Sequence, residues 1–187
     1  DVIEGTVYYW RQTDAPVGDN LASDYIEYNN TGSNPLGAAD GNIGTAQGFA
    51  VQAKTGGGTV TFKNSHRVVA NNAQFFRPNN GVDGLITPES TVATETSNSS
   101  TDGRLSLRMS GSGLYATQLL GFIPDGTEAY DDTYDGPFIN EGAGIEFYSY
   151  ITDSKMSIQA LPELTDQSVE IPLGYQVVSS GTYTVQI

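Results

Sequence analysis

The densest group of residues able to do chemistry lies in PDGTEAYDDTYDG, from Pro124 to Gly136, which holds Asp125, Glu128, Asp131, Asp132 and Asp135. All five supply oxygen only, and an oxygen-rich loop can wrap Ca²⁺, a hard ion that takes about six to eight oxygen ligands. The spacing is not that of an EF-hand, because DxDxDG followed at its twelfth position by Glu is missing. The bland alternative is a solvated acidic loop, with Tyr130 and Tyr134 packing onto the body of the fold. Ca²⁺ is therefore a candidate ligand, and no cofactor is required.

Aromatic residues form the second handle. In GTVYYW, from Gly5 to Trp10, Val7 and Tyr9 alternate with Thr6, Tyr8 and Trp10. If the second set points outward, Tyr8 and Trp10 could stack on sugar faces, with polar side chains meeting the hydroxyls. Core packing is the competing fate. Paired carboxylates could serve a glycosidase if they stood about 5 Å or roughly 6.5–9.5 Å apart, and Glu27, Glu146 and Glu170 fall in strand-like segments. Nothing in their spacing says that they converge, and a solvent-facing position is the default for each. Asn29-Asn30-Thr31 and Asn98-Ser99-Ser100 match the short N-x-S/T glycosylation pattern.

Other chemistries are excluded. His66 is the only histidine and no GxSxG elbow exists, so neither a multi-histidine zinc site nor a serine-hydrolase triad can be assembled in the usual way. The chain holds no cysteine, which removes disulfides, thiolate metal sites and Cys nucleophiles. Its 22 acidic and eight basic residues give a net charge of −14, which repels nucleic-acid backbones and anionic lipid surfaces. No apolar run is long enough for a membrane-spanning helix. Abundant Asn, Gly, Ser and Thr with scarce Lys suit an extracellular β-protein, and the start at Asp1 then implies a secretory leader already removed.

The elements that must position these residues are strands. The clearest are the two arms of Gln47 to Val69, where Phe49, Val51 and Ala53 alternate with polar or small residues and Val60 and Phe62 alternate with threonines around a triple-glycine turn. Further strands are predicted at Gly5–Trp10, Asp24–Asn29, Gln74–Arg77, Arg104–Ser110, Leu114–Ile123, Gly144–Ile151, Met156–Leu161, Val169–Val177 and Gly181–Ile187, each bounded by turn residues. Ser23–Tyr28 carries a weak helical pattern, but extended structure is preferred. Pro78–Asp102 reads as one long loop. A single all-β domain over 1–187 follows, a two-sheet antiparallel β-sandwich of jelly-roll or Ig-like type with long loops.

Several strings in consistent order resemble a known family. GNIGTAQGFAVQA, GTVTFKNSHRV and NNAQFFR are similar to the β-sandwich region of secreted flavobacterial (Bacteroidetes) surface proteins exported by the type IX secretion system. GTVYYWRQTDAPVG, SDYIEYNNTG, TEAYDDTYDG, IQALP and VEIPLGY resemble the other segments of that family. Ala50 stands where the family has a second aromatic, and His66 where it has methionine. The family continues into further strands and a C-terminal sorting signal, so the resemblance implies a segment of a longer extracellular or cell-surface protein. It implies location and architecture rather than activity.

The expectation is a non-catalytic surface β-sandwich acting in adhesion or as a structural subunit. Its expected partners are other copies of itself, through edge-strand pairing that could build a filament, or neighbouring domains. The alternatives are a calcium-assisted carbohydrate-binding module that holds polysaccharide with Tyr8 and Trp10, and a glycan-active enzyme using carboxylates.

Overall fold

The computed structural model describes residues 2–10, 25–69, 103–139, 144–165 and 168–187. Strands β1 (Ile3–Trp10), β2 (Tyr25–Asn29), β3 (Gly32–Asn34) and β4 (Phe49–Ala53) form an antiparallel sheet in the order β3-β2-β1-β4. Strands β5 (Arg104–Gly111), β6 (Leu114–Phe122), β7 (Gly136–Pro137), β8 (Ile145–Ile151), β9 (Ser154–Leu161), β10 (Leu173–Val177) and β11 (Thr184–Gln186) form the second. Its path is β10-β8-β9-β6-β5-β11, with β7 on the opposite edge of β9. The all-β two-sheet class holds, with one correction to the antiparallel expectation: β6 and β9 run parallel.

That parallel pair marks a fork. Along one edge, β9 pairs with β8 as far as Met156 and with β6 from Ile158 onward. The second sheet therefore curls, and Leu107, Met109, Ala116 and Leu120 of β5 and β6 pack against Ile145 and Phe147 of β8. The other face of β6 lies under the four-stranded sheet, so closely that a Cβ on Gly121 would collide with Thr31 Cγ2. With both faces covered, β6 reads as a nearly continuous apolar run rather than an alternation. Ser112 and Gly113, both at positive φ, make the two-residue turn from β5 to β6.

The Gln47–Val69 hairpin forms only in part. Phe49–Ala53 pairs with β1 as β4, but residues 59–63 join no strand among the described residues and are exposed throughout, and Asn64–His66 is a 3-10 turn. The physical reason is the turn. Gly56, Gly57 and Gly58 take φ values of 97°, 58° and 154° in succession, and the chain passes Val2 instead of folding back on β4. Val169–Val177 is extended strand only from Leu173, after Pro172, which has no N–H to donate. Gln74–Arg77 and Pro78–Asp102 lie outside the described residues.

Leu119 has no solvent exposure, whereas Leu173 on the edge strand is 43% exposed. Urea unfolding should show Leu119→Ala losing about 3 kcal/mol, while Leu173→Ala stays within about 0.5 kcal/mol of the parent.

Candidate functional site

The acidic loop proves to be the clamp between the sheets. Asp135 is buried; its Oδ2 accepts the Asp131 amide at 2.7 Å and its Oδ1 accepts the Ala160 amide of β9 at 2.8 Å. Its carbonyl accepts the Thr6 hydroxyl of β1 at 3.1 Å. The Tyr134 carbonyl takes Asn29 Nδ2 at 2.8 Å and Thr31 Oγ1 at 2.6 Å, and the Asp132 carbonyl takes the Gly5 amide at 2.7 Å. Any Cβ on Gly5 would sit 2.7 Å from that same oxygen, so only glycine permits the approach.

The five acidic side chains do not act together. Asp132 pairs with Lys54, which holds its carboxyl below the usual range. Asp131 Oδ1 accepts the Thr133 amide, Asp125 accepts the Tyr134 hydroxyl at 3.3 Å, and Glu128 is exposed. Among the described residues, no group of three or more His, Asp or Glu side chains is placed to hold a metal ion. Burial first, and then the Asp131 charge, push the Asp135 carboxyl up to about 6 despite its two amide donors.

A second polar group sits at the fork. Glu27 of β2 is 7% exposed and faces Tyr8 across the β1–β2 pair and Asn34 across the β2–β3 pair. Asn34 Nδ2 donates to Glu27 Oε2 at 3.0 Å, to the Thr117 carbonyl at 3.1 Å and to the Ser157 carbonyl at 3.2 Å. Ser157 lies between the last β8–β9 pair and the first β6–β9 pair. The Asn34 amide thus serves strand carbonyls at the point where the ladder changes partners. Burial raises the Glu27 carboxyl to about 7, against the opposing hydrogen bonds from Ser157 and Asn34. On the far side, Gln118 Nε2 donates to Ser149 Oγ at 3.1 Å.

The aromatic alternation in β1 is as expected, but its Thr6–Tyr8–Trp10 face turns inward. Tyr8 is buried, its hydroxyl donates to the Pro137 carbonyl at 2.8 Å, and burial pushes the phenol well above its ordinary value. Its ring is therefore not available to stack on a sugar. Trp10 emerges at the rim, 37% exposed, edge-on to Tyr25 at 5.1 Å. Of the three strand glutamates, Glu27 and Glu146 are buried rather than solvent-facing, and Glu170 is exposed and outside a strand. Glu146 accepts Lys155 Nζ at 2.9 Å, and that ammonium lies 4.6 Å from the centre of the Tyr148 ring.

Asn29, the first glycosylation candidate, is buried, and its amide is spent on Thr6 and Tyr134, which removes it as an acceptor. Asn98 lies outside the described residues. His66 is exposed on its 3-10 turn. Composition and periodicity alone do not single out Asn34, Gln118 and Ser157. The signal that could have found them is a polar residue interrupting an apolar run, as in ATQLLGF and MSIQAL.

The chain is thus a two-sheet β-sandwich in which, among the described residues, Asp135, Asn29, Glu27 and Asn34 bind its strands and layers together. It belongs to the family described as a domain of unknown function (DUF8693), whose model matches residues 1–187. No curated protein and no solved structure matches the chain.

Three measurements check these assignments. Glu27 and Asp135 both have raised folded-state pKa values, so the native state holds protons that the unfolded chain has released, and stability should fall as pH rises from about 4.5 to about 7. For Glu27 the loss is about 3 kcal/mol, from a shift of 4.5 to about 7. Glu27→Gln should remove that share of the slope, and an unchanged slope would refute the assignment. Asp135→Ala should cost about 2–3 kcal/mol by leaving buried amides unpaired, against about 0.5 kcal/mol or less for Glu128→Ala. Calcium titration tests the cation expectation directly: a calcium-induced rise in melting temperature lost in Asp131→Ala would establish a site in this loop, and no rise would reject it.

Proposed function

We propose that this protein is a non-catalytic subunit of an extracellular or cell-surface assembly, a structural or adhesive β-sandwich that joins copies of itself through sheet edges. The observation that carries this is apolar exposure at the edges. β10 pairs with β8 and β11 pairs with β5, and among the described residues neither has a second neighbour. Each nonetheless exposes large apolar side chains, Tyr175 at 65% on β10 and Val185 at 51% on β11. Unprotected apolar edges invite strand addition, and soluble β-proteins normally blunt them with charge, proline or a covering loop.

The commitment of Asp135, Glu27, Asn29 and Glu146 to internal bonds supports a non-catalytic role, because their bonding is directed into the sheets. Resemblance to type IX-secreted surface proteins supports the location. Light scattering over a range of concentrations tests the proposal: particle mass should rise with concentration well beyond that of the 19.9 kDa chain. A strictly monomeric particle would overturn it. Polysaccharide binding abolished by Trp10→Ala would replace it with the carbohydrate-binding alternative.

A further inference from the structure

We infer that the arm Thr59–Val69 is a donor segment that adds to the outer edge of β10 in a second copy of this chain, an inference that rests on the assembly proposed above and names its contact. The arm has a strand's alternation in TVTF, yet among the described residues it pairs with no strand, and every residue from Thr59 to Val69 is exposed. Phe62 is 73% exposed and Val60 44%. Exposure of alternating apolar side chains on the unpaired run Thr59–Lys63, which leads into the 3-10 turn at Asn64–His66, is what an isolated donor strand presents before it finds an edge.

Charge selects the acceptor. From Gly41 to Val82 the chain contains no Asp or Glu but carries Lys54, Lys63, Arg67 and Arg77, so the net −14 is the balance of +4 there and −18 elsewhere. From Met156 to Ile187 the pattern reverses, with Glu163, Asp166 and Glu170 and no Lys, Arg or His. The β10 edge lies in that acidic stretch. An arm from one copy and this edge in another attract each other, whereas arm against arm and edge against edge repel. Complementary charge thus favours the head-to-tail pair over either symmetric one.

Register fits as well. Antiparallel addition sets Val60 opposite Tyr175 and Phe62 opposite Leu173, two apolar cross-strand pairs on one face. The same direction carries Lys63 and Arg67 toward Glu170. Parallel addition would carry them away from it. Because donor and acceptor are different surfaces, the contact is heterologous, and each copy both gives an arm and receives one. Such a contact propagates into a filament unless its rotation closes a ring.

The absence of native cysteine allows a clean test. Phe62→Cys and Leu173→Cys, which the antiparallel register sets opposite one another, each carry one thiol and are mixed under mild oxidation. The mixed disulfide dimer should form at least about tenfold faster than that between Phe62→Cys and the exposed-turn control Asp153→Cys, because docking raises the local thiol concentration. Phe62→Asp and Tyr175→Asp should each abolish the rise in particle mass with unchanged melting temperature, both side chains being exposed. Lys63→Glu with Arg67→Glu should weaken association at low salt and have little effect at high salt. A mixed dimer no faster than the control, or association that survives both aspartate variants, overturns this contact while leaving assembly intact. A monomer at every concentration overturns both.

Discussion

Asp135 is the point on which the two layers depend. Its carboxylate closes its own loop through the Asp131 amide and holds β9 through the Ala160 amide, while its carbonyl receives Thr6 from the opposite sheet. One residue therefore touches the loop, the curled sheet and the four-stranded sheet. Two-sheet proteins usually join their layers with interdigitated apolar side chains. Part of this interface is instead a polar seam, with Thr6, Asn29 and Thr31 donating to the carbonyls of residues 134 and 135. Such bonds fix the relative placement of the sheets more tightly than apolar contact, because a small slip leaves buried groups unpaired.

The fork in the second sheet creates the other half of the seam. Where β9 exchanges β8 for β6, the ladder changes partners, and Asn34 reaches across from β3 to serve two carbonyls there. Glu27 supports Asn34 from the adjacent strand and, raised to about 7, is largely protonated in mildly acidic surroundings. Raised by burial, the carboxyls of Glu27 and Asp135 favour the folded state as pH falls from neutrality. While these polar groups turn inward, the edge strands β10 and β11 leave Tyr175 and Val185 exposed.

Much of the strand framework was legible in the residues, since β1, β2, β5, β6, β8 and β9 follow apolar runs bounded by turn residues. Two strands were not: β3 is three residues and β7 two, too short for any periodicity. The second arm of the Gln47–Val69 hairpin failed for the opposite reason, because its pattern is right and its place in a sheet is missing. Tyr8 and Trp10 share a face as the alternation requires, but no pattern says which face meets the other sheet. The acidic loop was visible as a cluster, while the direction of each carboxylate depended on backbone amides distant in sequence.

Alternation, turn residues and the lack of cysteine determined by themselves that this is an all-β protein without thiol chemistry, because both follow from residue type and near-neighbour spacing. The segregation of charge along the chain was likewise written in the order of its residues. Only the tertiary structure decided that Asp135 and Glu27 hold sheets together, that β6 pairs in parallel with β9, and that Thr59–Val69 pairs with no strand among the described residues. Those outcomes depend on long-range pairing, where a carbonyl from residue 134 meets an asparagine from residue 29, and local sequence carries no record of which distant partner will arrive.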